Sequence, residues 1–111
     1  MATRATYKFI SDITGTHTAY IHSDGYPEYA YNYLENAASI DAFMVKNDRA
    51  EITESHEIHG DTDYRYTIQN GCVVCEKRTW FESDDEEVGY EYKWDIEFIG
   101  TVEQLVKKYK S

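Results

Sequence analysis

Long apolar runs are missing from this chain. No stretch approaches the ~20 residues of a membrane-spanning helix, so no span is expected. Basic residues are scarce: 11 Lys and Arg stand against 21 Asp and Glu in 111 residues, a formal net charge of -10. Direct binding to nucleic acid depends on neutralising phosphates with Lys and Arg, and this balance argues against it. No positively charged segment leads into an apolar stretch at the N-terminus, so no export signal is expected and the chain reads as cytoplasmic. Cysteine is limited to Cys72 and Cys75, and proline to Pro27.

What is present suits a folded domain. Hydrophobic residues make up 41% of the chain and aromatic residues 15%, enough to fill a core despite the charge. A chain of this length forms one domain, 1–111, and buries roughly 65% of its unfolded surface.

The two cysteines fall in a β-branched and aromatic run, Cys72 to Phe81, which reads as a strand. Three residues along a strand span ~10 Å, beyond the ~7 Å within which two Cα atoms can be bridged. Reduced thiols on opposite faces are therefore expected. With His56 and His59 the pair reads H-x2-H-x12-C-x2-C, an admissible zinc spacing and the basis of an alternative reading as a zinc-stabilised adaptor. Val73-Val74 is a poor turn for a metal knuckle, and neither metal nor other cofactor is expected.

Periodicity organises the rest. Ala5, Tyr7 and Phe9 alternate with Arg4, Thr6 and Lys8, and a second β-run, Thr16 to His22, follows a Gly15 loop to make a hairpin. Pro27 opens a helix whose stripe is Ala30, Tyr33, Leu34, Ala37 and Ala38. Ile40, Phe43 and Met44 either continue it or form a second short helix capped by Ser39. From Glu51 the period returns to two, predicting a strand to Ile58. A second covers Tyr64 to Ile68 and turns at Asn70-Gly71. Tyr90, Tyr92, Trp94, Ile96 and Phe98 read as one inward row, opposite Glu91, Lys93, Asp95 and Glu97. Thr101 and Gln104 form a capping box for a last helix. The fold class is α+β: an antiparallel sheet of about six strands with two or three helices on one face.

Charge is unevenly spread. Residues 51–97 hold fourteen acids and four bases, a net -10, whereas 1–50 carry -2 and 98–111 carry +2. If the aromatic rows face inward, these carboxylates share a wet flank. Adjacent strands ~4.8 Å apart give that flank a charge density comparable with a polyanion. The candidate binding residues are Glu82, Asp84, Asp85, Glu86, Glu87, Glu91, Asp95 and Glu97. Tyr26 and Tyr31 join them as aromatics off the buried stripe.

The loop His22-Ser23-Asp24-Gly25-Tyr26-Pro27 gathers an imidazole, a carboxylate and a phenol. It is the basis of a second alternative, a small enzyme or ligand-binding protein. No nucleophile with an adjacent base and no phosphate-cradling glycine loop accompanies it, so no enzyme is expected.

The opening Met1-Ala2-Thr3-Arg4-Ala5-Thr6-Tyr7, the loop His22-x-Asp24-Gly25-Tyr26-Pro27 and the closing Phe98-Ile99-Gly100-Thr101-x-Glu103 resemble a family of short phage and mobile-element proteins. The likeness covers the first 28 residues and the tail, not the acidic middle. It implies a phage-type protein that binds and blocks a host machine, as many anti-CRISPR proteins of this size and charge do. The expected function is thus a non-enzymatic inhibitor of a host defence complex. Its acidic face would occupy a basic nucleic-acid-binding groove on a host protein or ribonucleoprotein. The sequence leaves a homodimer open.

Overall fold

Polar–apolar alternation builds the first strand, β1 (Ala5–Ser11), and the positive φ of Gly15 lets the chain return as β2 (Gly15–Ile21). A computed structural model describes residues 3–35, 39–47, 49–56, 62–82 and 89–110. After β2 come helices α1 (Pro27–Leu34) and α2 (Ile40–Lys46), then the short strand β3 (Glu51–Thr53). Strands β4 (Tyr64–Gln69), β5 (Cys72–Glu82) and β6 (Tyr90–Thr101) follow, and helix α3 (Val102–Tyr109) closes the chain. The second helix is separate, because the Ser39 side chain accepts a hydrogen bond from the Ala42 amide. The capping box of Thr101 and Gln104 starts α3 as expected.

The fold is α+β, and the described residues form six strands in the order β3-β2-β1-β4-β5-β6 and three helices. All neighbouring pairs are antiparallel except β1 and β4, so the sheet is mixed. That pair also explains why the strand expected to reach Ile58 stops at Thr53. The chain must cross from the β3 edge to a place beside β1, and parallel neighbours require such a crossover. His56 lies on that path, buried on the helix-free face with Nδ1 2.6 Å from Thr6 Oγ1 and Nε2 3.4 Å from Thr67 Oγ1.

The core lies between the other face and the helices. Tyr7 stacks on Tyr66 at 4.5 Å, and Phe43 of α2 tilts against Tyr7 and Phe9. Ala30 and Leu34 of α1, Leu105 of α3 and Val73 and Cys75 of β5 belong to the same buried cluster. The Asn70-Gly71 turn has both residues at positive φ, 53° and 76°, the geometry a two-residue hairpin demands.

The His22–Pro27 loop is pinned to this core. The Gly25 amide donates to the Thr3 carbonyl at 2.9 Å, and the Tyr66 hydroxyl donates to the Gly25 carbonyl at 2.6 Å. A side chain at Gly25 would bring its Cβ to 2.8 Å from Ala5 Cβ, so only glycine fits. Asp24 enters the turn at φ 61°, a conformation that aspartate tolerates.

The stacked tyrosines differ in one respect. The Tyr66 hydroxyl is bonded, whereas the buried Tyr7 hydroxyl has no hydrogen-bond partner among the described residues. Removing a satisfied buried hydroxyl strands its partner at a cost of about 1–3 kcal/mol, while removing an unsatisfied one is neutral or stabilising. Urea unfolding is therefore expected to show Tyr66→Phe destabilised by about 1–2 kcal/mol and Tyr7→Phe no less stable than the parent. Equal losses would refute the assignment.

Candidate functional site

β4 pairs with β5 only as far as Lys77, opposite Tyr64. Beyond it Arg78–Glu82 pair with Tyr90–Trp94, and once the Arg78 amide has donated to the Asp63 carbonyl at 2.9 Å the two strands run past the sheet as a two-stranded arm about 13 Å long. The molecule is correspondingly elongated, 46 Å along its longest axis against 31 and 28 Å.

The register of this arm breaks once. Cys75 faces Phe98, but Glu76 faces Ile96, leaving Glu97 as an extra residue in β6. A bulge of this kind breaks the alternation of faces along the strand that carries it. Cys75 belongs to the core, so Glu76 and its partner Ile96 lie on the helix-free face. Trp94 opposite Arg78 and Tyr92 opposite Trp80 continue that row.

The inward row expected from Tyr90 to Phe98 is therefore divided, a correction to the sequence reading. Among the described side chains of that row Phe98 alone packs against the core, and it meets Tyr109 of α3 at 6.3 Å. Tyr92 and Ile96 are 52% and 62% exposed, and Trp94 is half-buried. The side chain of Tyr90 lies outside the described residues.

On the helix-free face of the arm, arginines and aromatics interleave. The Arg65 guanidinium sits 4.4 Å from the Trp94 ring centre, and Arg78 lies 5.1 Å from Trp80 and 5.4 Å from Tyr92. Trp80 and Tyr92 meet edge to face at 5.2 Å. Cation–π contact of this kind fixes long side chains in place while leaving aromatic surface open. Trp80 is 55% exposed, and Phe81, on the opposite face with Glu91, is also exposed.

The candidate carboxylates are distributed over both faces. Glu82, Glu91, Asp95 and Glu97 are exposed. Glu91 and Asp95 share a face with Lys77, Thr79 and Lys93, and Asp95 lies 3.8 Å from Lys93. Glu82 belongs to the aromatic face, where Glu76 is already held by Arg65 through bonds of 2.9 and 3.1 Å. Asp84, Asp85, Glu86 and Glu87 fall outside the described residues. A single acidic flank is not what the described strands form. Their acids hem an arm whose exposed bulk is aromatic.

Tyr26 and Glu97 both lie near Tyr64. The Tyr26 ring meets Tyr64 edge-on at 5.7 Å, and Tyr64 is pushed up to about 12 by burial, with Glu97, Cys75, Glu28 and Tyr26 adding to the effect. These groups gather at the base of the arm on the helix side. Tyr31, expected off the buried stripe, is half-buried and packs against the core.

The His22 loop opens on a different place. His22, Ser23 and Asp24 line a pocket of about 380 Å³ with Ile21, Tyr33, Lys46, Asn47 and Arg49. Lys46 Nζ also donates to the Asn32 and Glu35 carbonyls at the end of α1, and His22 Nε2 is 3.1 Å from Glu51 Oε2. Tyr26 points away to Tyr64, so the three candidate groups of this loop do not converge.

The zinc set does not assemble either. Cys75 belongs to the core face and His56 to the opposite one, with the sheet between them. Cys72 is exposed, and His59 lies outside the described residues. Neither sequence spacing nor period carried the signal for the arm face. That the aromatics of β6 share a face with Arg65 of β4 and Arg78 of β5 is visible only once register is known.

No family model, curated protein or solved structure matches the chain.

Burial pushes the Cys75 thiol up to about 12 from its ordinary 9.0, and it raises the Tyr7 and Tyr66 phenols well above 10.0. Each group is raised on folding, so its contribution is complete below the unfolded value and is lost as pH climbs toward the folded one. Stability is expected to fall progressively above about pH 9, measured by urea midpoints across an alkaline series. In native protein at pH 8, a thiol reagent should titrate Cys72 quickly and Cys75 only on unfolding; two fast thiols would contradict the burial.

Proposed function

We propose that this chain is a non-enzymatic binding protein that captures a protein partner with its β5–β6 arm. The observation that carries the reading is the arm itself: Trp80, Phe81 and Tyr92 stand exposed beyond the sheet with Glu82 and Glu91, and Ile96, Asp95 and Glu97 are exposed at its base. Exposed aromatic and arginine side chains supply most of the binding energy at protein interfaces, whereas rim charges set approach and specificity. The net -10, concentrated in residues 51–97, selects a basic surface. The resemblance to short phage proteins points to the class of partner: a host defence complex with a basic nucleic-acid-binding groove, blocked in the manner of an anti-CRISPR protein. In this reading the carboxylates of residues 82–97 provide attraction and the aromatic face provides grip.

The test is capture of the partner from host lysate on immobilised protein at low and high salt, with and without excess heparin as a competing polyanion. Reversal of Asp84, Asp85, Glu86 and Glu87 to Lys should abolish the salt-sensitive capture. Paired Trp80→Ala and Tyr92→Ala substitutions should weaken it by about 30-fold or more, the loss expected of a central aromatic pair. Capture that withstands heparin and both sets of substitutions would reject the proposal.

A further inference from the structure

β6 is the last strand of the sheet, so among the described residues no strand pairs with its outer edge. The strand is twelve residues long, and an edge of that length offers a row of unpaired N–H and C=O groups. A lysine in mid-strand is a common guard against edge pairing, and Lys93 stands where such a guard would. Here it lies between Glu91 and Asp95 on the same face of the arm. An acid–base–acid row is not a guard against itself, because an antiparallel copy can set its lysine against an acid.

The choice of register follows from that row. Lys93 opposite Lys93 would put Glu91 against Asp95 twice and is excluded by like charge. Trp94 opposite Trp94 would pair Lys93 with Asp95 but set Glu91 against Glu97, and it runs the ladder into the bulge. Tyr92 opposite Tyr92 pairs Glu91 with Lys93 on both sides of the axis. It brings no two acids face to face over residues 89–95 and stops short of Glu97. A two-fold axis normal to the sheet keeps the two aromatic faces on one side, and the overlap is confined to the arms.

We propose that the chain forms a two-fold dimer in which the free edge of β6 pairs antiparallel with β6 of a second copy, Tyr92 against Tyr92 and Glu91 against Lys93. The dimer uses the edge of the arm and leaves its aromatic face open, so it does not rest on the partner proposed above.

The experiment is sedimentation equilibrium of the full chain, followed by oxidative cross-linking in a Cys72→Ser background. The expected mass is twice 13.0 kDa. Tyr92→Cys should form a covalent dimer, since facing residues in an antiparallel pair lie within disulfide reach. Trp94→Cys should not. Lys93→Glu should raise the dimer dissociation constant at least tenfold, and Glu91→Lys combined with Lys93→Glu should restore it, because the swap rebuilds the same cross-strand pairs. A monomer at several hundred micromolar overturns the proposal. So does a dimer that cross-links through Trp94→Cys and not through Tyr92→Cys, or a charge swap that fails to rescue.

Discussion

Opposite Cys75 and Glu76, β6 uses three residues where β5 uses two. Regular pairing would carry the face of Phe98 straight along the strand to Ile96, Trp94 and Tyr92. Those side chains would then lie on the helix side, on the face of Lys77, Thr79 and Phe81. The extra residue, Glu97, places them on the helix-free face instead, beside the guanidinium groups of Arg65 and Arg78. The arm is thereby given an aromatic surface and a charged one, and every binding property argued for it depends on that division.

The body of the protein serves as a rigid base for this arm. Its core is aromatic, with Tyr7 in contact with both Tyr66 and Phe43, and the loop before α1 is tied to it through Gly25. The groups that burial holds neutral, Tyr7, Tyr66 and Cys75, all belong to this base. Tyr64 lies at the junction, near both Tyr26 and Glu97, so the loop before α1 and the bulge meet at one point.

Much of the fold could be read from residue order alone. The stripe expected along α1 stops at Leu34, where that helix ends, and Ala37 and Ala38 lie outside the described residues. The hairpin of β1 and β2, the Asn70-Gly71 turn and the Ser39 and Thr101 caps are set by neighbours a few residues away. Local chemistry decides them, and they form as expected. The strand predicted to Ile58 did not, because His56 is apt for a strand by pattern yet is drawn across the sheet to Thr6 and Thr67. Of the candidate site, Glu82, Glu91, Asp95 and Glu97 are exposed, but so are Tyr92 and Ile96 of the row expected to face inward, and Tyr31 is recruited by the core.

The amino-acid sequence by itself determined the element types, the free and separated cysteines, the strong negative charge and its concentration in residues 51–97. Each of these follows from composition or from spacing within one element. Tertiary structure decided what joins elements: the parallel pairing of β1 with β4, the separation of His56 from Cys75 by the sheet, and the face on which Tyr92, Trp94 and Ile96 emerge. The physical reason is that a period of two fixes which residues share a face, but not which face meets the core. That choice belongs to cross-strand register, and one added residue reverses it.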